Sequence, residues 1–366
     1  MMKKSIISFF CLLWVLNAIV YSKEPYREKL NQEEISWDNS LSLPERDGKL
    51  SLGFAGSFSG FIGECLVIAG GANFPDNPPW KEGKKRWWQT LYYKDVSDEH
   101  ARWRVYDDAL PHPLGYGITI QLPEGLLCIG GCDEQQCYAD VFLISIENGR
   151  PVVCNNWPSL PVPLANATGA LLGNSIYVAG GQESMKKQEA TAHFYRLDLD
   201  NLEKGWQTLA TWPGAPRGYA VSVAQHNGDD LCFYLFSGRN YKADGWVEVL
   251  KDGYMYIPRL DRWEPVRGEF PVMAGTAIAV GTDEICFLGG VPLLLPTSED
   301  HPGFDNTVRT YNVAKQAFVK EEMAPFDIPV TTTVAKKDNV FYICSGEVKP
   351  GIRTPKLLRG EYRSVK

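Results

Sequence analysis

An apolar, β-rich run that ends in a glycine turn recurs six times along this chain, and no other feature restricts its fold as tightly. The copies are Leu66-Val-Ile-Ala-Gly70-Gly71, Leu126-Leu-Cys-Ile-Gly130-Gly131, Ile176-Tyr-Val-Ala-Gly180-Gly181, Phe233-Tyr-Leu-Phe-Ser237-Gly238, Ile285-Cys-Phe-Leu-Gly289-Gly290 and Phe341-Tyr-Ile-Cys-Ser345-Gly346, 50 to 60 residues apart. A unit of this size cannot bury its apolar face alone, so copies must stack, and the glycines let the backbone turn sharply beside a central channel. The repeat therefore predicts an all-β, six-bladed β-propeller with four strands per blade.

A second landmark keeps the same phase. An aromatic residue is followed four to eight positions on by proline: Trp103 to Pro111, Trp157 to Pro161, Trp206 to Pro213, Trp263 to Pro271 and Phe318 to Pro325. Each reads as an outer strand whose ring packs between blades, then a proline-bearing crossover. The period is that of kelch repeats. After the sixth turn only one strand-like run remains, Leu357 to Val365, whereas Ile35-Ser-Trp37 with Pro44 fits the outer-strand template and has no blade of its own. Pairing the two ends closes the last blade and removes an exposed sheet edge. The whole reads as one domain over residues 23–366.

Residues 1–22 read as a signal peptide. Lys3 and Lys4 form the basic end, Ile6 to Val20 the apolar run and Ala18 to Ser22 the small-residue exit. The apolar run is shorter than the ~20 residues that span a bilayer, so cleavage before Lys23 and a periplasmic or secreted location, with no membrane attachment afterwards, are expected. The net charge of −7 excludes the broad basic face that nucleic acid or an anionic membrane requires. An anionic ligand must meet a local cluster of Lys and Arg. Cys65, Cys128, Cys232, Cys286 and Cys344 each lie in a strand leading into a glycine turn, where a thiol acts as a small hydrophobe. Cys132 and Cys137 flank a short loop and have the spacing to pair across it, but spacing does not decide connectivity. No Cys/His spacing resembles a zinc site, and neither metal nor cofactor is expected.

Propellers bind ligands in the loops that leave the inner strands. The sixth such loop differs in kind, since Glu347-Val-Lys349-Pro-Gly-Ile-Arg353-Thr354 places a carboxylate and two cations within seven positions, stiffened by Pro350 and bent by Gly351. A carboxylate flanked by cations suits proton transfer on an anionic ligand, and equally suits a salt-bridged surface loop. The fourth loop opens on Arg239-Asn240-Tyr241.

The run Ser345-Gly-Glu-Val-Lys-Pro-Gly-Ile-Arg-Thr354 closely resembles the signature loop of the bacterial sialic acid mutarotases, kelch propellers also called N-acetylneuraminate epimerases and exported to the periplasm. Gly53-Phe-Ala-Gly56, Ile68-Ala-Gly-Gly-Ala-Asn73-Phe74 and Gly214-Ala-Pro-Arg217 resemble other stretches of that family. Their order here resembles its cyclically permuted branch, with the signature C-terminal and Phe-Ala-Gly first. The resemblance implies Glu347 as proton acceptor and Arg353 as its catalytic partner, orienting or neutralising the sugar carboxylate. It also implies that Lys349, Arg217 and Asn73 bind substrate, and Arg239 joins them as a candidate. The stretch His112-Pro-Leu114-Gly-Tyr-Gly117 lacks the arginine the family pattern places before Tyr-Gly. The implied ligand is a small sugar acid, and the implied reaction is exchange of the α and β anomers of N-acetylneuraminate or a related sialic acid. A propeller that only recognises carbohydrate or protein is the alternative. A sialidase would carry Ser-x-Asp-x-Gly-x-x-Trp turns and a copper radical oxidase clustered His and Tyr ligands, and neither pattern is found.

Overall fold

A computed structural model describes residues 33–187, 189–241 and 245–364. The expected signal peptide and the expected start at Lys23 lie outside the described residues. Six four-stranded antiparallel sheets form the blades. Blade 1 comprises Phe58–Ile62, Cys65–Ala69, Leu91–Asp95 and Arg104–Tyr106. Blades 2 to 5 repeat the plan, their second strands being Gly125–Ile129, Ser175–Ala179, Leu231–Phe236 and Glu284–Gly290. These second strands are the predicted apolar runs, buried on both faces, whereas the fourth strand of blade 5, Ala317–Met323, alternates between exposed and half-buried positions. Burial thus peaks at the second strand, since the first strands, which neighbour one another around the channel, mix buried with half-buried and exposed positions, and this is why continuous apolar runs mark the second strands and isolated large rings the outer ones.

Blade 6 joins the two ends of the chain. Val334–Lys337, Val340–Cys344 and Leu357–Ser364 are completed by Glu33–Asp38, which pairs antiparallel with the last of them, Ile35 opposite Tyr362 and Trp37 opposite Gly360. Gly360 is needed there because a Cβ would lie 2.1 Å from the Phe341 ring, which covers the glycine from the neighbouring strand. Trp37 meets the same ring edge-on at 5.5 Å, so an aromatic pair clamps the closure.

Aromatic contacts also carry the interfaces between blades. Phe236 of blade 4 meets Phe287 of blade 5 edge-to-face at 4.9 Å. The indole N–H of Trp103, Trp206 and Trp263 donates to Ser42, Pro158 and Ala210 in turn, each a carbonyl in the crossover that leaves the preceding blade. Trp157 departs from the predicted phase. The outer strand of blade 2 is Arg150–Cys154, and Trp157 follows it, packing from the crossover. Of the five thiols predicted to be buried, Cys128, Cys232, Cys286 and Cys344 are, while Cys65 at the start of its strand is half-buried.

Two rings of equivalent positions surround the channel. Gly56, Tyr116, Asn166, Tyr219, Ala274 and Thr331 each donate a backbone N–H to the carbonyl of the preceding member, at 2.7 to 2.9 Å, and Gly56 closes the cycle on Thr331. All six have positive φ, between 51° and 66°. For tyrosine and β-branched threonine this left-handed conformation is strained, and such strain concentrates at sites where the backbone must aim a side chain. The second ring consists of the residues just after the glycine turns, Ala72, Cys132, Gln182, Arg239, Val291 and Glu347, each bridged to the residue before a member of the first ring. Among these six, Arg239 and Glu347 carry the charges.

Candidate functional site

A cavity of about 220 Å³ opens over one side of these rings. Tyr116, Tyr219, Ala274 and Thr331 of the first ring line it, with Arg239, Val291 and Glu347 of the second. Phe74 and Lys85 reach it from the loop of blade 1, and Arg353 from the sixth.

The sixth loop folds into a short hairpin, Glu347–Lys349 against Ile352–Arg353, with Glu347 opposite Arg353. Its tip needs Gly351, since a Cβ there would sit 2.3 Å from Pro79 of the first loop. The pairing puts Arg353 Nη2 at 2.7 Å from Glu347 Oε1, with the arginine side chain 2% and the glutamate 18% exposed. Arg353 Nε donates to the Ala72 carbonyl at 3.3 Å, and its Nη1 is buried without a partner. The guanidinium carbon also stands 4.8 Å from the Phe74 ring centre. Glu347 Oε2 has only a long contact from the Thr331 hydroxyl, 3.4 Å, and is the carboxylate's available proton acceptor.

Further donors converge on the cavity. Arg239 lies over Tyr219 at 4.0 Å and Tyr241 at 5.2 Å, and its Nε is buried and unpartnered. The Tyr116 hydroxyl is likewise buried without a partner. Lys85 Nζ stands 5.0 Å from the Tyr116 ring and 5.3 Å from that of Trp87. Burial pushes the Tyr219 phenol up, against the opposing charge of Arg239, so it stays a neutral hydroxyl. One carboxylate and three cations thus surround a small space containing several unpaired donors. Native interiors rarely leave such groups unpaired, and a polar, anionic ligand would satisfy them.

The structure separates the remaining sequence candidates. Arg217 is fully enclosed, with Nη1 on the Ser237 carbonyl and both terminal nitrogens on Asp252 at 2.9 and 3.0 Å, and it does not reach the cavity. Its place in the repeat is that of Leu114 and Leu164, whose carbonyls likewise accept from the second glycine of the preceding blade's turn. That place faces the core, which also accounts for leucine where the family pattern has arginine in the second blade. Asn73 is buried and spends its amide on the Gly53 carbonyl and the Trp88 indole, pinning the first loop. Lys349 is half-buried on the sixth hairpin outside the cavity. Cys132 and Cys137 face one another across a β-bridge as free thiols, and burial pushes them up to about 12 and about 11.

Sequence reasoning missed Lys85, Tyr116, Tyr219 and Thr331. The three ring residues were detectable only as the positions preceding each inner strand. A larger cavity of about 780 Å³ lies beside blade 1, where Arg46 is already paired with Asp107 at 2.6 Å and, among the described lining residues, the Trp87 indole N–H alone is buried without a partner.

Fold and site together define a six-bladed propeller with a carboxylate–guanidinium centre at one mouth of its channel. The model of the N-acetylneuraminate epimerase family matches residues 18–153 and 157–295, and the chain belongs to that family. Relatives named N-acetylneuraminate epimerase include one from Yersinia enterocolitica serotype O:8, 28% identical over 236 residues, and one from Yersinia pestis strain Pestoides F, 26% identical over 234. Each alignment takes in 56% of this chain and 57% of the relative. A third, from Haemophilus influenzae strain PittEE, is 26% identical over 233 residues, 56% of this chain and 59% of the relative. The chain thus spans well under two thirds of the curated relatives it matches, and the family match stops short of the hairpin bearing Glu347 and Arg353.

Proposed function

We propose that this protein is a mutarotase that interconverts the α and β anomers of N-acetylneuraminate or a related sialic acid. The observation that carries the reading is Glu347, held at Oε1 by Arg353 and open at Oε2, in a cavity with three cations and unpaired buried donors. Membership of the epimerase family supports it. In the permuted order that the sequence resembles, the sixth-blade segment falls outside a collinear match, as it does here. The expected leader adds an exported location to the proposal, and a mature N-terminus other than one near Lys23 in the exported fraction would count against it.

The reaction needs one proton moved and one bond broken and remade. Glu347 Oε2 takes the proton of the anomeric hydroxyl while the bond from the anomeric carbon to the ring oxygen breaks, and the resulting Glu347 carboxylic acid gives that proton to the ring oxygen. The product is the open-chain keto acid. Rotation about the bond from the keto carbon to the chain presents its other face, and the reverse transfer closes the ring as the opposite anomer. A single carboxylate relays the proton and is unchanged after one cycle. The cations suit the ligand's carboxylate, while Phe74 and Tyr116 supply apolar surface for a sugar face.

Glu347→Gln retains size and one carbonyl acceptor but cannot take a proton at neutral pH. The expected result is a fall of about 10² to 10⁴ in catalysed exchange with sugar binding retained, read by saturation-transfer NMR above the uncatalysed rate. Exchange at the parental rate would sink the mutarotase reading and favour a propeller that only recognises its ligand.

A further inference from the structure

The cavity holds two arginines, and their bonding states differ. Arg353 is largely committed, with Nε on the Ala72 carbonyl and Nη2 on Glu347, and Nη1 is its one nitrogen with no partner. A two-pronged grip on a ligand carboxylate needs two adjacent N–H groups of one guanidinium. At Arg353 the Nε–Nη2 edge is already in use at both nitrogens, and a ligand carboxylate at the Nη1–Nη2 end would have to share Nη2 with Glu347. Arg239 is held by stacking alone, between Tyr219 and Tyr241, and its buried Nε is unpaired. Among the described residues no carboxylate and no carbonyl accepts from its guanidinium. Its Nε edge is therefore free to make the two parallel bonds.

Charge points the same way. Arg353 and Glu347 neutralise one another at 2.7 Å, which leaves Arg239 and Lys85 as the uncompensated cations of the cavity. Lys85 is placed by the rings of Tyr116 and Trp87, with its ammonium facing the same space.

Resting on the mutarotase reading for the identity of the ligand, we propose that Arg239, assisted by Lys85, is the anchor of the sugar carboxylate, and that Arg353 is a positioning residue that fixes Glu347. The arrangement places anchor and base two blades apart on the second ring, with Val291 between them. An α-keto acid sugar bound by its carboxylate at Arg239 then presents its anomeric carbon, one bond from that carboxylate, toward Glu347.

The test compares N-acetylneuraminate with its neutral C1 amide by calorimetric titration, alongside anomer exchange. The parent protein should prefer the acid. Arg239→Gln should weaken acid binding about 10- to 100-fold and leave amide binding unchanged, so that the preference collapses. Arg239→Lys, which keeps the charge and loses the fork, should fall between. Arg353→Lys should retain the preference and lose turnover, a fall in kcat with little change in KM. Thermal melts identify any variant that has not folded. A preference that survives in folded Arg239→Gln, or disappears in folded Arg353→Lys, overturns the assignment, and so does equal binding of acid and amide by the parent. If the parent binds the acid in an Arg239-dependent way yet exchanges no anomers, the anchor stands and the mutarotase reading fails.

Discussion

In the fourth blade the turn Ser237-Gly238 leads to Arg239, and in the sixth Ser345-Gly346 leads to Glu347, each charged residue opening a hairpin over the channel. Both serines replace the first glycine of the other four turns and adopt positive φ, 58° and 62°. Their supports differ. Ser237 Oγ donates to the Leu250 carbonyl at 2.8 Å, and its own carbonyl accepts from Arg217, which is fixed by Asp252. Ser345 Oγ donates to Thr354 at 2.5 Å and accepts the Phe54 N–H at 2.8 Å, linking its hairpin to the N-terminal side of the closure. The cation's loop thus rests on an ion pair reaching from its own blade, and the carboxylate's loop on hydroxyl bonds across the seam. A common backbone position has been adapted to opposite charges by changing what lies beneath it.

Removing one support at a time tests that contrast. The largest effect is expected for Asp252→Ala, which strands the wholly enclosed Arg217 cation and should cost about 3 to 5 kcal/mol in urea unfolding. Arg217→Met should cost less, because Asp252 is 40% exposed and can hydrate. The opposite ranking would show that the guanidinium serves Ser237 more than the ion pair. Next comes Ser345→Ala, which leaves the buried Phe54 N–H unpaired and should cost about 1 to 3 kcal/mol, against about 1 for Ser237→Ala, whose hydroxyl serves one carbonyl. Equal losses would erase the difference between the supports.

The smallest effect involves pH. His301 lies in the fifth loop with Nδ1 accepting the Gly303 N–H at 3.1 Å, and burial first, then the Lys349 cation of the sixth hairpin, lowers its pKa. The neutral ring is favoured in the folded state, so its stabilisation is complete above the ordinary histidine value and is lost as pH falls from there toward the lower folded value. Phe304 lines the cavity from the same loop, so ligand affinity should weaken modestly over that range. His301→Asn should flatten the profile, and an unaltered profile would remove His301 as its source.

The blades were legible in sequence because their signal is local and repeated: each glycine turn and nearly every outer aromatic marks its own strand, with Trp157 displaced into a crossover. The closure was legible from an imbalance, one outer strand too few at the C-terminus and one too many at the N-terminus. The site was harder to read. Glu347 and Arg353 share one hairpin and could be picked out together, but Tyr116, Tyr219 and Thr331 face the cavity through bonds to neighbouring blades that no local pattern encodes. Arg217 shows the converse difficulty. The family resemblance implied a ligand contact, and only the three-dimensional equivalence with Leu114 and Leu164 reveals a core position occupied by a paired cation.

The cycle of six backbone bonds around the channel has an electrostatic corollary. In a helix the peptide dipoles point one way and sum to partial charges at the ends, which many proteins use to hold anions. Here the six N–H to carbonyl vectors follow one another head to tail around a closed loop, so their components in the plane of the loop cancel. Within that plane the ring of backbone bonds therefore adds no net dipole to the channel mouth. The sign of charge offered at the mouth is then set by side chains, with Lys85 and Arg239 uncompensated and Arg353 balanced by Glu347, and a substitution of Lys85 or Arg239 can redraw the field of the mouth without touching the scaffold that surrounds it.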